Sequence, residues 1–167
     1  MPSLLFVCTA NRIRSPLAEY LFRSKLKQQA DLDPADVWQI ESAGTWAQPD
    51  RPPMASAMSV AAQYGMDISS HRSRSVDAVD LNRFDLILTM ETSQRDALRS
   101  EFPSAADRIY TLAEAATGFA YDIDDPIGRS DAVFHRTLVQ LDDLLDQGWE
   151  RLNRAAVYFS SRGEEDV

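Results

Sequence analysis

Near its N-terminus the chain runs Leu4-Leu5-Phe6-Val7-Cys8-Thr9-Ala10-Asn11-Arg12-Ile13-Arg14-Ser15-Pro16, and no other stretch narrows the choice of fold so far. The apolar run Leu4 to Val7 predicts a short buried strand. Ser15-Pro16 predicts a helix start, with Ser15 as N-cap and Pro16 pre-set for the first helical position. Between strand and helix lie the only cysteine of the chain and, six residues later, Arg14.

Strand, loop and helix N-terminus in that order suit a phosphate. Such a loop turns several backbone N–H groups inward, and the helix dipole adds positive potential. Arg14 can fold back and grip two oxygens at once. Cys8 sits in the same field, which favours thiolate over thiol and predicts a lowered pKa. Cys8 is then a nucleophile for a bound phosphoryl group. A small apolar residue at a strand end is its ordinary alternative.

The segment Val7 to Pro16 resembles the signature of the low-molecular-weight protein tyrosine phosphatases. Ser42-Ala43-Gly44-Thr45, Ile68-Ser69-Ser70-His71-Arg72-Ser73-Arg74 and Asp125-Pro126 follow in the family's order, and the likeness reaches to about residue 155. The resemblance implies a phosphomonoester hydrolase, most simply a protein tyrosine phosphatase. Its loop is Thr9, Ala10, Asn11, Arg12, Ile13 and Ser15. Cys8 is the nucleophile, Arg14 the phosphate-binding arginine and Asp125 the general acid, with Asp124 the neighbour to exclude. The resemblance further implies that Ser42, His71, Asn11 and Ser15 form a hydrogen-bonded network bracing the loop. Ser15 assists Cys8 as leaving group. No metal or cofactor is implied, because Arg14 and the loop dipoles neutralise the phosphate. Substrates are a phosphotyrosine protein or a small aryl phosphate, inorganic phosphate is the product, and a cognate tyrosine kinase is the implied partner.

Length and charge agree. At 167 residues the chain makes one domain, read as residues 1–159 followed by a polar tail, 160–167. A net charge of −9 argues against nucleic acid. One cysteine and two histidines make a metal cluster improbable, and a lone thiol suits a reducing cytoplasm. No apolar run approaches membrane-spanning length.

The remaining elements alternate. A first helix is expected over Ser15 to Gln29, with Leu17, Leu21 and Phe22 inward and Arg23, Lys25 and Lys27 outward. Asp31 to Pro34 reads as a loop. A second strand is expected over Val37 to Ala43, with Trp38, Ile40 and Ser42 on one face. The Pro-rich loop Trp46 to Pro53 borders the cleft in the resembling family, so Trp46 is either a wall for an aromatic substrate or a packing side chain. A second helix runs from Pro52-Pro53 to Gly65 with Met54, Ala57, Met58, Ala61 and Tyr64 as its stripe. Arg72 and Arg74 read as solvated surface. Phe84 to Met90 is the strongest strand, suited to the middle of a parallel sheet. A helix over Thr92 to Ser100 stops before Pro103, and Arg108 to Leu112 makes a fourth strand. A long helix from Asp131 carries Phe134, Leu138, Leu141, Leu145, Trp149, Leu152, Ala156 and Phe159 through Gly148. Strands alternating with helices predict right-handed crossovers and a parallel sheet. The resemblance implies four strands in the order 2-1-3-4 with helices on both faces.

Three positions depart from the family pattern. Ala10 replaces a glycine, which predicts a strained loop torsion. Ile13 replaces a second cysteine, which predicts irreversible over-oxidation of Cys8 by peroxide. Ile127 and Gly128 replace aromatics after Asp125-Pro126, leaving Ile127 as a partial substrate wall. Two other activities remain compatible: a glutathione- or glutaredoxin-assisted arsenate reductase, and a non-catalytic phosphate- or phosphopeptide-binding module.

Overall fold

A computed structural model describes residues 1–30 and 37–163. The centre of the molecule is β1 (Ser3–Cys8), every residue of which is buried. It pairs in parallel with β2 (Gln39–Gly44) on one side and β3 (Leu86–Thr89) on the other, and β4 (Ile109–Thr111) pairs in parallel with β3. The strand order is 2-1-3-4.

Alternation along β1 sorts the core into two layers. Leu4, Phe6 and Cys8 face α1 (Arg14–Ala30), α2 (Ala55–Gln63), the short α4 (Leu112–Thr117) and the long α5 (Asp131–Gly163). Phe22 anchors this layer, with its ring 6.0 Å from Phe6, 5.3 Å from Trp38 and 5.1 Å from Trp149. Leu5 and Val7 point the other way, toward Ile87, Ile109 and Leu98 of α3 (Thr92–Glu101). Burial of the sheet on both faces is why Leu86 to Thr89 carries almost no polar side chain.

The second strand starts two residues later than expected, and Trp38, Ile40 and Ser42 do share a buried face. The third and fourth strands are shorter than expected because Phe84 caps a 3-10 turn over Leu81–Arg83, while Leu112 opens α4. That helix was not foreseen. Its signal is the capping box Thr111-Leu112-Ala113-Glu114, with Gly118 at φ 89 ending it.

Helix α1 begins one residue before Ser15, so Ser15 is not its N-cap. The first helical bond runs from Leu17 N to Ile13 O, and the Ser15 hydroxyl is engaged elsewhere. Lys25 does not face open solvent: its Nζ lies 2.7 Å from Asp142 and 2.6 Å from Asp146, tying α1 to α5. Burial lowers the pKa of that ammonium, but the two carboxylates outweigh it and the net direction is upward. Tyr64 leaves the α2 stripe for the surface beside His135, and Val60 takes the inward place. Helix α5 continues through Gly163, so residues 160–163 belong to it rather than to a frayed tail. The expected loop Asp31 to Pro34 and the last four residues lie outside the described residues. Among the described residues, no helix is long and apolar enough to cross a membrane.

Candidate active site

In a parallel sheet all strands end on one side, and the order 2-1-3-4 reverses direction beside β1, so the loop after β1 opens at the switch point of the sheet. Cys8 is the last residue of β1 and is 3% exposed. Its Sγ lies 3.0 Å from Ser15 Oγ, and Asn11 N donates to it at 3.3 Å. Both are partners that a thiolate can accept from.

Asn11 organises the loop. It is buried and takes φ 54, a left-handed conformation that asparagine tolerates better than most residues. Its Nδ2 donates to Ser15 Oγ and to Ser42 Oγ, each at 2.9 Å. Its Oδ1 accepts from Arg74 N at 3.0 Å. His71 Nε2 meets its backbone carbonyl at 2.8 Å, so the proton of a neutral His71 sits on Nε2. Burial lowers the pKa of His71, which keeps the ring neutral in that role. Ala10 lies outside the left-handed region, so the strain expected there falls on Asn11 instead.

The segment Ser42 to Thr45 backs the loop. Thr45 N donates to Cys8 O and Trp46 N to Thr9 O, both at 2.9 Å. A Cβ on Gly44 would stand 2.4 Å from Thr9 O, which explains a residue without a side chain there. Ser42 Oγ donates to Glu19 Oε2 at 2.5 Å, extending the network to a buried carboxylate whose pKa burial raises. Arg74, read from sequence as solvated, instead donates to Ser42 O at 2.9 Å and pairs with Glu41. Arg72 remains an exposed residue.

Arg14 is the largest fully buried side chain, at 1% exposure. A guanidinium is retained there because both of its terminal nitrogens are paired. NH1 donates to Glu91 Oε1 at 2.6 Å and to Ile123 O at 2.7 Å. NH2 donates to Thr9 Oγ1 at 3.3 Å and to Asp125 Oδ2 at 3.2 Å. Gln94 Nε2 holds the same Thr9 hydroxyl at 3.0 Å. Ile127 N donates to Asp125 Oδ1 at 3.1 Å, a turn that fixes the carboxyl above the loop.

A small cavity of about 50 Å³ joins these groups, lined by Cys8, Ala10, Arg12, Ile13, Arg14, Met54, Asp125 and Ile127. Asp125 lines it and Asp124 does not. Trp46 does not line it either, and is 87% exposed. Met54 takes the wall position instead, drawn in by its N–H to Arg12 O at 3.0 Å. Arg12 is held at the mouth by its Nε on Pro52 O at 2.8 Å.

Sequence reasoning missed Glu91, Gln94, Glu19 and Met54. Glu19 left a trace, as an acid within the apolar run Leu17 to Phe22. Glu91 left none, being 77 residues from the arginine it holds.

The chain is similar to known proteins along most of its length. A family model described as low molecular weight phosphotyrosine protein phosphatase matches residues 3–157. A probable low molecular weight protein-tyrosine-phosphatase of Ralstonia solanacearum is 33% identical over 139 residues, 83% of this chain and 88% of that protein. A protein-arginine-phosphatase of Bacillus subtilis is 32% identical over 152 residues, 90% and 97% of the two chains. A crystal structure of a low molecular weight protein tyrosine phosphatase from T. tengcongensis superposes with TM-score 0.81 at 38% identity, covering 90% of this chain and 99% of that one.

Proposed function

The chain belongs to the low molecular weight phosphotyrosine protein phosphatase family, and from that membership we propose that it removes phosphate from phosphotyrosine proteins through a phosphocysteine on Cys8. The observation that carries the proposal is one cavity lined together by Cys8, Arg14 and Asp125, with Arg14 NH2 3.2 Å from Asp125 Oδ2.

The phosphoryl dianion enters the loop Cys8 to Arg14. Arg14 NH2 leaves Asp125 for a phosphoryl oxygen, while NH1 stays on Glu91 and the Ile123 carbonyl. Backbone N–H groups hold the other oxygens as charge spreads over them. Cys8 Sγ attacks phosphorus in line; the S–P bond forms as the P–O bond to the phenol breaks, and Asp125 gives its proton to the departing oxygen. Asp125 then takes a proton from water, the water oxygen bonds phosphorus, and the S–P bond breaks. Inorganic phosphate leaves and Cys8 returns as thiolate, with Ser15 Oγ within reach to stabilise it. Chemistry on a lone thiol suits a reducing cytoplasm, where a tyrosine kinase would supply the substrate.

Relatives of similar identity carry the names of tyrosine and of arginine phosphatases. The wall favours the aryl substrate. Met54 and Ile127 offer aliphatic surface, and the Arg12 guanidinium can stack on an aromatic ring. The same guanidinium opposes a substrate that presents a second guanidino group beside its phosphate. Turnover of a phosphotyrosine peptide and a phosphoarginine peptide of one sequence tests this. At least tenfold higher kcat/KM for phosphotyrosine is expected, on the order of a 1.4 kcal/mol discrimination; equal or reversed values contradict it.

A further inference from the structure

Past Asp125 the catalytic cavity meets a second, larger cleft of about 420 Å³, and Asp125 lines both. Its other walls are Asp124 and Arg129 on the loop, and Val133, Arg136, Thr137 and Gln140 on α5. The four α5 residues fall on one face of its first turns. The Thr137 hydroxyl is occupied by Val133 O at 3.0 Å. Arg129 and Arg136 are exposed, and among the described residues neither guanidinium has an ion-pair or hydrogen-bond partner.

The charges facing one another across this cleft are few. The lining carries two carboxylates and two guanidinium groups; Asp125 is turned to Arg14 and the Ile127 amide, and Asp124 has no basic partner among the described residues. Two unpaired guanidinium groups beside the catalytic cavity are a local exception on a chain of net charge −9, whose general field repels acidic partners. The leaving oxygen of a substrate must lie beside Asp125, so the chain that carries the phosphorylated residue exits past Asp125, alongside this cleft.

We infer that the cleft is a recognition subsite for a phosphoprotein segment with carboxylate side chains next to the phosphorylated residue, bound by Arg129 and Arg136. This rests on the phosphatase reading of Cys8 and narrows its substrate class.

Two phosphotyrosine peptides, identical except for Asp/Glu or Asn/Gln flanking residues, test it by the ratio of their kcat/KM values. Exposed arginine–carboxylate contacts predict an acidic preference of about 3- to 10-fold at low salt, shrinking toward unity as ionic strength rises. Arg129→Ala/Arg136→Ala is expected to abolish the ratio. Arg129→Glu/Arg136→Glu is expected to invert it toward a Lys-flanked peptide, a gain that misfolding cannot imitate. No acidic preference in the wild type, or a preference undiminished in both double variants, overturns the inference. Failure of the wild type to hydrolyse para-nitrophenyl phosphate would instead overturn the phosphatase reading, and this inference with it.

Discussion

Arg14 is buried to 1% exposure before any substrate arrives, and the account makes Glu91 the residue that holds it in register. Glu91→Ala removes two things at once. The first is the 2.6 Å bond from Arg14 NH1. A charge-assisted bond of that kind contributes about 1.5–3 kcal/mol, and because Glu91 is 28% exposed, water recovers part of it, leaving about 1–2 kcal/mol. The second is the N-cap of α3, where Glu91 and Gln94 form a reciprocal capping box worth about 1 kcal/mol. The expected loss is therefore about 2–3 kcal/mol for Glu91→Ala and roughly half for Glu91→Gln, which keeps an acceptor at both places. Catalysis should fall further than stability implies. With the NH1 edge unclamped, NH2 is no longer aimed at the loop, and misplacement of a positioning group costs about 10- to 100-fold in kcat/KM. Urea unfolding followed by the fluorescence of the three tryptophans measures the first effect. Hydrolysis of para-nitrophenyl phosphate measures the second. A Glu91→Ala protein with wild-type midpoint and wild-type turnover would refute the reasoning, because Ile123 O and Thr9 would then suffice to hold Arg14.

Gly148→Ala should destabilise, although glycine to alanine in a helix normally gains about 1 kcal/mol. Here the new Cβ would lie 2.6 Å from both Cα and Cβ of Ala116, so α5 must part from α4 at a cost of about 1–3 kcal/mol; a raised Tm would contradict this. His71→Gln tests the buried neutral imidazole. Its folded pKa is lowered, so its contribution is present above the unfolded pKa of about 6.5 and is lost as pH falls through the lower folded value. The wild type should exceed His71→Gln by about 1 kcal/mol at pH 8, with the gap closing toward pH 5; a gap that widens on acidification would reverse the sign. Peroxide should inactivate the enzyme without recovery in dithiothreitol beyond the sulfenic stage, since no second cysteine exists to trap it. Full recovery of thiol and activity after excess peroxide would disprove that.

What could be read from the sequence was whatever is local. The apolar run before Cys8 and the stripe of α5 through Gly148 each report their own element within a few residues. The strand order and the bracing roles of Ser42 and His71 came through likeness to a family, since no spacing brings residues 42 and 71 to residue 11. Glu91 illustrates the limit: a helix-capping glutamate is ordinary in sequence, and only the β1–β3 pairing sets it against Arg14. Arg74 illustrates the opposite error. A basic residue in a polar stretch is usually solvated, but Glu41 and the Ser42 carbonyl lie on the neighbouring strand and take its guanidinium. Trp46 neither lines the cavity nor packs in the core, because its backbone, not its ring, is what the loop uses.

The central claim is a phosphocysteine enzyme with Asp125 as its acid. The most direct test is para-nitrophenyl phosphate hydrolysis from pH 4 to 8 with chelator present, for the wild type, Cys8→Ser, Asp125→Asn and Asp124→Asn. The account predicts a bell-shaped wild-type profile, no turnover by Cys8→Ser, a loss of about 100-fold or more in Asp125→Asn, and near-normal rates in Asp124→Asn. Turnover surviving in Cys8→Ser, or a loss concentrated in Asp124→Asn, would contradict it.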